Sequence, residues 1–346
     1  DFQGNTQGAL LLEPQRTNSL LQSNQFDTTW TLSSSIDITS NQSGVGGSNN
    51  AWLLKRNSIG SRYVQQALSL SSATYSYSVY LKAESSNWAY FWSYDGSESV
   101  NAYFDLENGV VGDTSGSNLD SATIESVGNG WYRVTLIYTQ GTTLVRIYPA
   151  YSNGDVAIGA DNGIYIQYAQ LEQGSYPTSY IPTQGSAVTR LADSCNQTVP
   201  DGVIGQTEGT LLVDFNFDGD ISGNRSVAIL SSGGSADFIA SFIFNNLFYA
   251  RIRANNGSLS DVTKSNLTSG NHKIAIAYAS NDLTFYLDGN IVGQNTSASV
   301  SFGSELSTMK IGESTSGTAE LGGLVSKATL YNTRLSNSEL AALTTI

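Results

Sequence analysis

The 346-residue chain has one cysteine, one histidine, one methionine and five prolines, and only 13% of its residues are charged. Each shortage excludes something. With Cys195 alone no internal disulfide forms, so stability rests on packing. The single histidine, His272, falls inside an alternating stretch beside Lys273, where a structural or surface role is expected. Without a second histidine or thiol, no zinc cluster, Cys-His pair or Ser-His-Asp set is expected. No apolar run approaches the roughly 18 residues of a membrane span, so no membrane insertion is expected. Basic residues are few, 16 against 29 acidic, and the net charge of −13 argues against nucleic acid, which needs clustered Lys and Arg. That charge is compatible with bound calcium. No signal peptide opens the chain, and Asp1 is not a natural start, so a processed or trimmed piece is expected. An extracellular protein without disulfides fits assembly in a bacterial cytoplasm followed by release.

What is abundant is Gly, Ser, Thr and Asn, the residues of short strands joined by many turns. The hydrophobic content of 40% is globular, and the length suits two domains. Aromatic residues divide between them. All five Trp and fifteen of the nineteen Tyr precede Ala192, whereas eight of the twelve Phe follow Pro200, which implies two cores of different make-up.

The stretch Gln167–Asp193 marks the passage. Its first part, Ile164 to Leu171, alternates as a strand does. From Glu172 onward Gly174, Pro177, Pro182 and Gly185 disfavour regular structure, yet Tyr176, Tyr180 and Ile181 are too apolar for a free linker. An extended strap lying across the first domain is expected. Arg16 and Arg190 are read as clamps on backbone carbonyls or on Glu13 or Glu172, and Arg16 and Asn18 as part of a loop after the apolar run that Pro14 stops.

Strands are predicted in the first domain at Tyr75–Ala83, Trp88–Tyr94, Ala102–Leu106, Trp131–Tyr138 and Leu144–Pro149, with Gly or Asn between them and no helical stripe. The second domain reads as strands at Thr210–Phe217, Phe238–Phe244, Leu247–Arg253, His272–Tyr278, Leu283–Leu287 and Leu324–Tyr331. The turn Asp288-Gly289-Asn290 follows Leu287. Ser336 to Glu339 has capping-box spacing before Leu340-Ala341-Ala342-Leu343. The expected fold is all-β: two tandem antiparallel β-sandwich (jelly-roll) domains, 1–193 and 205–346, a linker at 194–204, and one short C-terminal helix.

The segments GALLLEPQRTN (8–18), YSYSVYLKA (75–83), GNGWYRV (128–134) and AQLEQGSYPTSYIPTQGSAVTRLAD (169–193) resemble a module of bacteriophage tail-fibre and head-fibre proteins, regarded as a carbohydrate-binding-like β-sandwich. The segments GTLLVDF (209–215), GNHKIAIAY (270–278), LTFYLDGNIVG (283–293) and LYNTRLSNSELAAL (330–343) resemble the concanavalin A-like, laminin-G-type jelly-roll lectins. The resemblance implies a non-enzymatic virion or extracellular fibre component whose partners are surface polysaccharide and other virion proteins. Fibres commonly form trimers, so a homo-oligomer, with trimer the expectation, is implied, as is calcium in either sandwich.

Candidate site residues follow. Trp88, Tyr90, Trp92 and Tyr94 share one side of a strand and form a plausible platform for the CH-rich faces of sugars. The competing reading, core packing, is favoured by the smaller average size of Ala89, Phe91 and Ser93 opposite. Trp131 and Arg133 on one face of GNGWYRV are read as packing residues. Asp214, Asn216 and Asp218 place oxygens at alternate positions before Gly219, as a calcium loop does. Arg225, however, stands where such a loop needs a bidentate Glu, and a half-buried strand explains the same alternation. Two other classes stay open: a structural virion fibre or decoration protein making protein contacts only, and a polysaccharide-degrading enzyme or accessory module working through two carboxylates.

Overall fold

The computed structural model describes residues 10–157, 159–217, 225–244, 247–264, 267–313, 321 and 323–346. The described chain is built of antiparallel sheets and one α-helix. It divides into two compact units: Arg16–Arg190, and Leu191–Ile346 together with Asp1–Gln15. Among the described residues no helix is long and apolar enough to cross a membrane.

Two 20-residue strands, Val64–Ala83 and Trp131–Ala150, are the spine of the Arg16–Arg190 unit. They pair along their whole length, with register shifts between Gln140 and Leu144. Such irregularities bend a ribbon, and here they separate two sets of neighbours. Trp131–Tyr138 pairs outward with Leu119–Gly128, and the C-terminal half of the Val64–Ala83 strand pairs with Gly163–Gln173. Leu144–Ala150 pairs instead with Trp88–Tyr94, which continues to Ser99–Asp105. Between the two halves lies a core of Tyr77, Phe91, Phe104, Leu136 and Ile147, all fully buried. Two stretches predicted as separate strands, 131–138 and 144–149, are thus one strand. Gly141 between them is the bend, not a break.

The strap is held by buried polar side chains. Asn18, fully buried, donates its amide to the carbonyls of Ala169 and Ile181 and accepts the N–H groups of Leu20 and Leu171. Gln170 accepts from Ile181 N at 2.6 Å and donates to the Thr178 carbonyl at 3.2 Å. Glu172 accepts both the N–H (2.6 Å) and the hydroxyl (2.7 Å) of Thr178. Arg133 donates to the Thr178 carbonyl and Arg190 to that of Ser179, while Arg16 lies over the Tyr176 ring. Arg16–Asn18, expected in a loop, instead pairs as a short strand with Val188–Arg190. Thus strap carbonyls and amides that the sheets leave unpaired meet side chains.

The other unit packs two six-stranded sheets around Phe215, Phe217, Ile276, Phe285 and Leu230. Two boundaries differ from the sequence reading. Leu10–Leu12, assigned to the first domain, pairs antiparallel with Gly323–Tyr331 and puts Leu12, 2% exposed, into this core. Residues 194–204, read as a linker, are built in: Cys195–Thr198 pairs with Thr308–Ile311, and Ile204 is buried. In both cases an apolar residue, Leu12 or Ile204, is buried in this core. The C-terminal helix Asn337–Thr344 starts on the expected capping box, Ser336 accepting from Glu339 N and Glu339 from Ser336 N. Its Leu340 packs on Leu212 and Tyr286.

Because Leu12 is a core residue of a unit that begins again at Leu191, Leu12→Ala is expected to destabilise that unit by about 2–4 kcal/mol. All five tryptophans lie within Arg16–Arg190. Their fluorescence transition should hardly move, while a calorimetric transition of the other unit shifts down. A shift of the tryptophan transition alone would contradict this placement.

Candidate functional site

Three neighbouring strands of the Arg16–Arg190 unit assemble an aromatic surface by cross-strand register. Ala89, Phe91 and Ser93 of Trp88–Tyr94 are fully buried, and Trp88, Tyr90, Trp92 and Tyr94 are half-buried on the opposite side. This reverses the core reading favoured from side-chain size. The neighbours decide the matter: Val100, Ala102, Phe104, Val145 and Ile147 lie buried on the same side as Phe91. The four rings stand on the outer face.

Antiparallel pairing places directly opposed side chains within touching distance. Tyr103, Tyr90 and Tyr148 form one row, with ring centroids 4.4 and 5.1 Å apart, and Tyr63 extends it, 5.0 Å from Tyr148. The next row is Asn101, Trp92, Arg146 and Gln65. Arg146 lies between two rings, its guanidinium 4.2 Å from the centroid of Tyr63 and 4.3 Å from that of Trp92. It donates to Gln65 Oε1 at 2.8 Å and to the Tyr148 hydroxyl at 3.2 Å. Trp92 also stacks on Tyr94 at 5.1 Å. These contacts hold the rings in fixed positions. Burial first, then the neighbouring Tyr103 and Tyr148 phenols, push the Tyr90 phenol well above the ordinary tyrosine range. Burial, with Asp155 and Asp113 nearby, raises Tyr103 likewise. The hydroxyls are therefore neutral donors and acceptors across the physiological range.

A second feature went unread in the sequence. A pocket of ≈ 480 Å³ opens between the loop at Gln22–Gln25, residues 40–52, the bulge at Tyr168 and the strap at 180–184. Its residues are amides, hydroxyls, aromatics and one proline from five separate segments, a pattern no linear motif reveals.

The other candidates are placed as follows. Asp214 stands mid-strand with Lys273 and Lys327 directly opposite on its two neighbours. Burial raises its carboxyl, and those two ammonium groups pull it back. Asn216 donates to Asn271 at 2.8 Å. A calcium ion needs 6–8 oxygens, and cationic neighbours make Asp214 a poor fit for one. Asp218 lies outside the described residues. Among the described residues no group of three or more His, Cys, Asp or Glu is gathered as for a metal. His272 has both ring nitrogens engaged, at 2.8 Å from Asp288 Oδ2 and 2.8 Å from the Thr268 carbonyl, which leaves neither free as a general base.

Residues 193–341 match the family model described as the Concanavalin A-like lectin/glucanases superfamily. This part of the chain is similar to that superfamily and shares its all-β jelly-roll fold. Among solved structures, the chain is similar to a Ruminococcus gnavus IT-sialidase CBM40 bound to α2,3-sialyllactose, at 15% identity over 40% of this chain and 84% of that one, with a TM-score of 0.35. Mouse laminin α1 domains LG4-5 match at 11% identity over 90% and 91%, with a TM-score of 0.30. A heptameric SAP-like pentraxin from Limulus polyphemus matches at 12% over 42% and 71%, with a TM-score of 0.33. A search of curated proteins found no match.

The buried phenols give a pH expectation. Burial pushes Tyr138 and Tyr180 each up to about 12, against their hydrogen bonds to Ser93 and Thr142, and to Ser23. An unfolded tyrosine titrates near about 10. The folded state thus holds these protons longer, so their contribution to stability is complete below pH about 10 and is lost as pH rises towards 12. The urea midpoint of the Arg16–Arg190 unit should fall between pH 9.5 and about 11.5. Tyr138→Phe, which removes one of the raised phenols of this unit, should flatten that fall.

Proposed function

We propose that the chain is a non-enzymatic carbohydrate-binding component of a phage fibre or related virion surface structure, contacting host or environmental surface polysaccharide. The observation that carries this is the outward aromatic row Trp88, Tyr90, Trp92 and Tyr94, held by Arg146 beside Trp92 on the same face and flanked by Asn101 and Gln65. The ring edges and the faces left uncovered by Arg146 or a stacked neighbour offer apolar contact to sugar C–H groups, and amides and phenols beside them can pair with sugar hydroxyls. A half-exposed surface suits weak contacts repeated along an oligomer, where avidity multiplies modest affinities. The similarity of residues 193–341 to the concanavalin A-like superfamily agrees with a lectin-type chain. The similarity of residues 8–193 to phage fibre modules supports the virion setting, and a trimer is the assembly that setting favours.

The test is a glycan array with a bacterial-envelope binding assay on the intact chain in its native oligomer, with Trp88→Ala and Trp92→Ala beside it. Removing one platform ring is expected to weaken binding about tenfold or more, since a buried aromatic contributes about 1.5–3 kcal/mol. No binding by the wild-type oligomer to any glycan or envelope would sink the proposal and leave a component that makes protein contacts only.

A further inference from the structure

We infer that the pocket framed by Asn24, Asn50, Tyr168, Tyr180, Thr183 and Gln22 is a second ligand site, built for an uncharged sugar unit and selective against acidic sugars. This goes beyond the reading above and does not depend on the aromatic row, which is formed by other strands.

Three observations support it. First, the pocket walls carry no Asp, Glu, Lys, Arg or His. A carboxylate or ammonium entering it would lose water without gaining an opposite charge, which is strongly unfavourable. Sugar hydroxyls, which both donate and accept, match amide and hydroxyl groups that do the same. At ≈ 480 Å³ the pocket falls within the usual range for small-ligand sites, about 300–1,000 Å³.

Second, two of its residues carry buried oxygens that have no hydrogen-bond partner, Gln22 Oε1 and Thr183 Oγ1. Thr183 is only 3% exposed. Its backbone is fully used, its N–H donating to Ser23 Oγ at 2.8 Å and its carbonyl accepting from Ser23. An unpaired buried hydroxyl costs stability. Both oxygens lie just behind the pocket surface, so a small opening of the wall brings them to a ligand hydroxyl that would satisfy them.

Third, the remaining walls are already set. Asn24 donates to the Asn50 carbonyl at 3.0 Å and accepts from Tyr168 N at 3.1 Å, and Asn50 donates to the Tyr168 hydroxyl at 2.9 Å. That bond uses Tyr168 as an acceptor and leaves its own hydrogen to donate. The Tyr168 ring stacks on Tyr180 at 4.3 Å. Tyr168 has φ +54° and Asn41, also in the wall, φ +60°. A left-handed tyrosine is uncommon and strained, and here the strain turns the ring onto Tyr180 and into the pocket wall.

The experiment is NMR titration of the intact chain with glucose, galactose, mannose and N-acetylglucosamine, and with glucuronate and galacturonate as acidic counterparts. At least one neutral sugar is expected to shift the side-chain amides of Asn24 and Asn50 at millimolar concentration, with the matching uronate at least tenfold weaker. Thr183→Val removes the unpaired hydroxyl while keeping the shape, so the fold should be as stable as before or more so, and affinity should fall at least fivefold. Trp92→Ala should leave this titration unchanged, which separates failure here from failure of the aromatic row. The inference is overturned if no neutral sugar binds, if the uronates bind equally, or if affinity survives both Thr183→Val and Tyr168→Ala.

Discussion

The Arg16–Arg190 unit depends on a small set of buried amide and carboxylate side chains that stand in for sheet pairing. Asn18, Gln170 and Glu172 are all fully buried, and between them they satisfy backbone groups at residues 20, 169, 171, 178, 179 and 181. Burying polar groups is tolerable only when each finds partners, and the cost of leaving one unpaired is large. The strap therefore has a single low-energy path. That path sets Tyr180, Pro182 and Thr183 where the pocket needs them. Thus residues that read as loop composition specify one conformation as firmly as a strand does.

The aromatic row depends on register instead. The bend at Gly141 lets one pair of long strands serve two layers, and on the second layer Leu144–Ala150 meets Trp88–Tyr94 residue for residue. Arg146 and Tyr148 reach the outer face only because this pairing is fixed, and with them come the ring rows and the guanidinium between Tyr63 and Trp92. A one-residue slip would send every one of these side chains to the core.

Much of this was legible in the chain. Aromatic and apolar strand composition placed Trp88–Tyr94 and Phe238–Phe244 to the residue, and Ser336 with Glu339 marked the only α-helix among the described residues. The side facing the core was misread, because side-chain volume is a poor guide when the small residues, Ala89 and Ser93, flank a buried Phe91. The neighbouring strands held the better signal: Ser99, Asn101 and Tyr103 alternate with Val100, Ala102 and Phe104, and Arg146 with Val145 and Ile147. Long-range features were illegible for a different reason. Nothing local tells Leu10 that it pairs with Val325, or tells Gln22, Asn50, Tyr168 and Thr183 that they meet. Those contacts are set by the whole topology and not by any spacing.

The central claim is that ligand recognition resides on the surfaces of Arg16–Arg190. Hydroxyl-radical footprinting of the intact chain, with and without a polysaccharide that it binds, addresses it most directly, because oxidation reads tyrosine and tryptophan rings one by one. Protection is expected at Trp88, Trp92 and Tyr94, with Tyr249 and Tyr331 of the other unit oxidised as before. Protection confined to Tyr249 and Tyr331, with the Trp88–Tyr94 rings unchanged, would contradict the claim and move recognition to the Leu191–Ile346 unit.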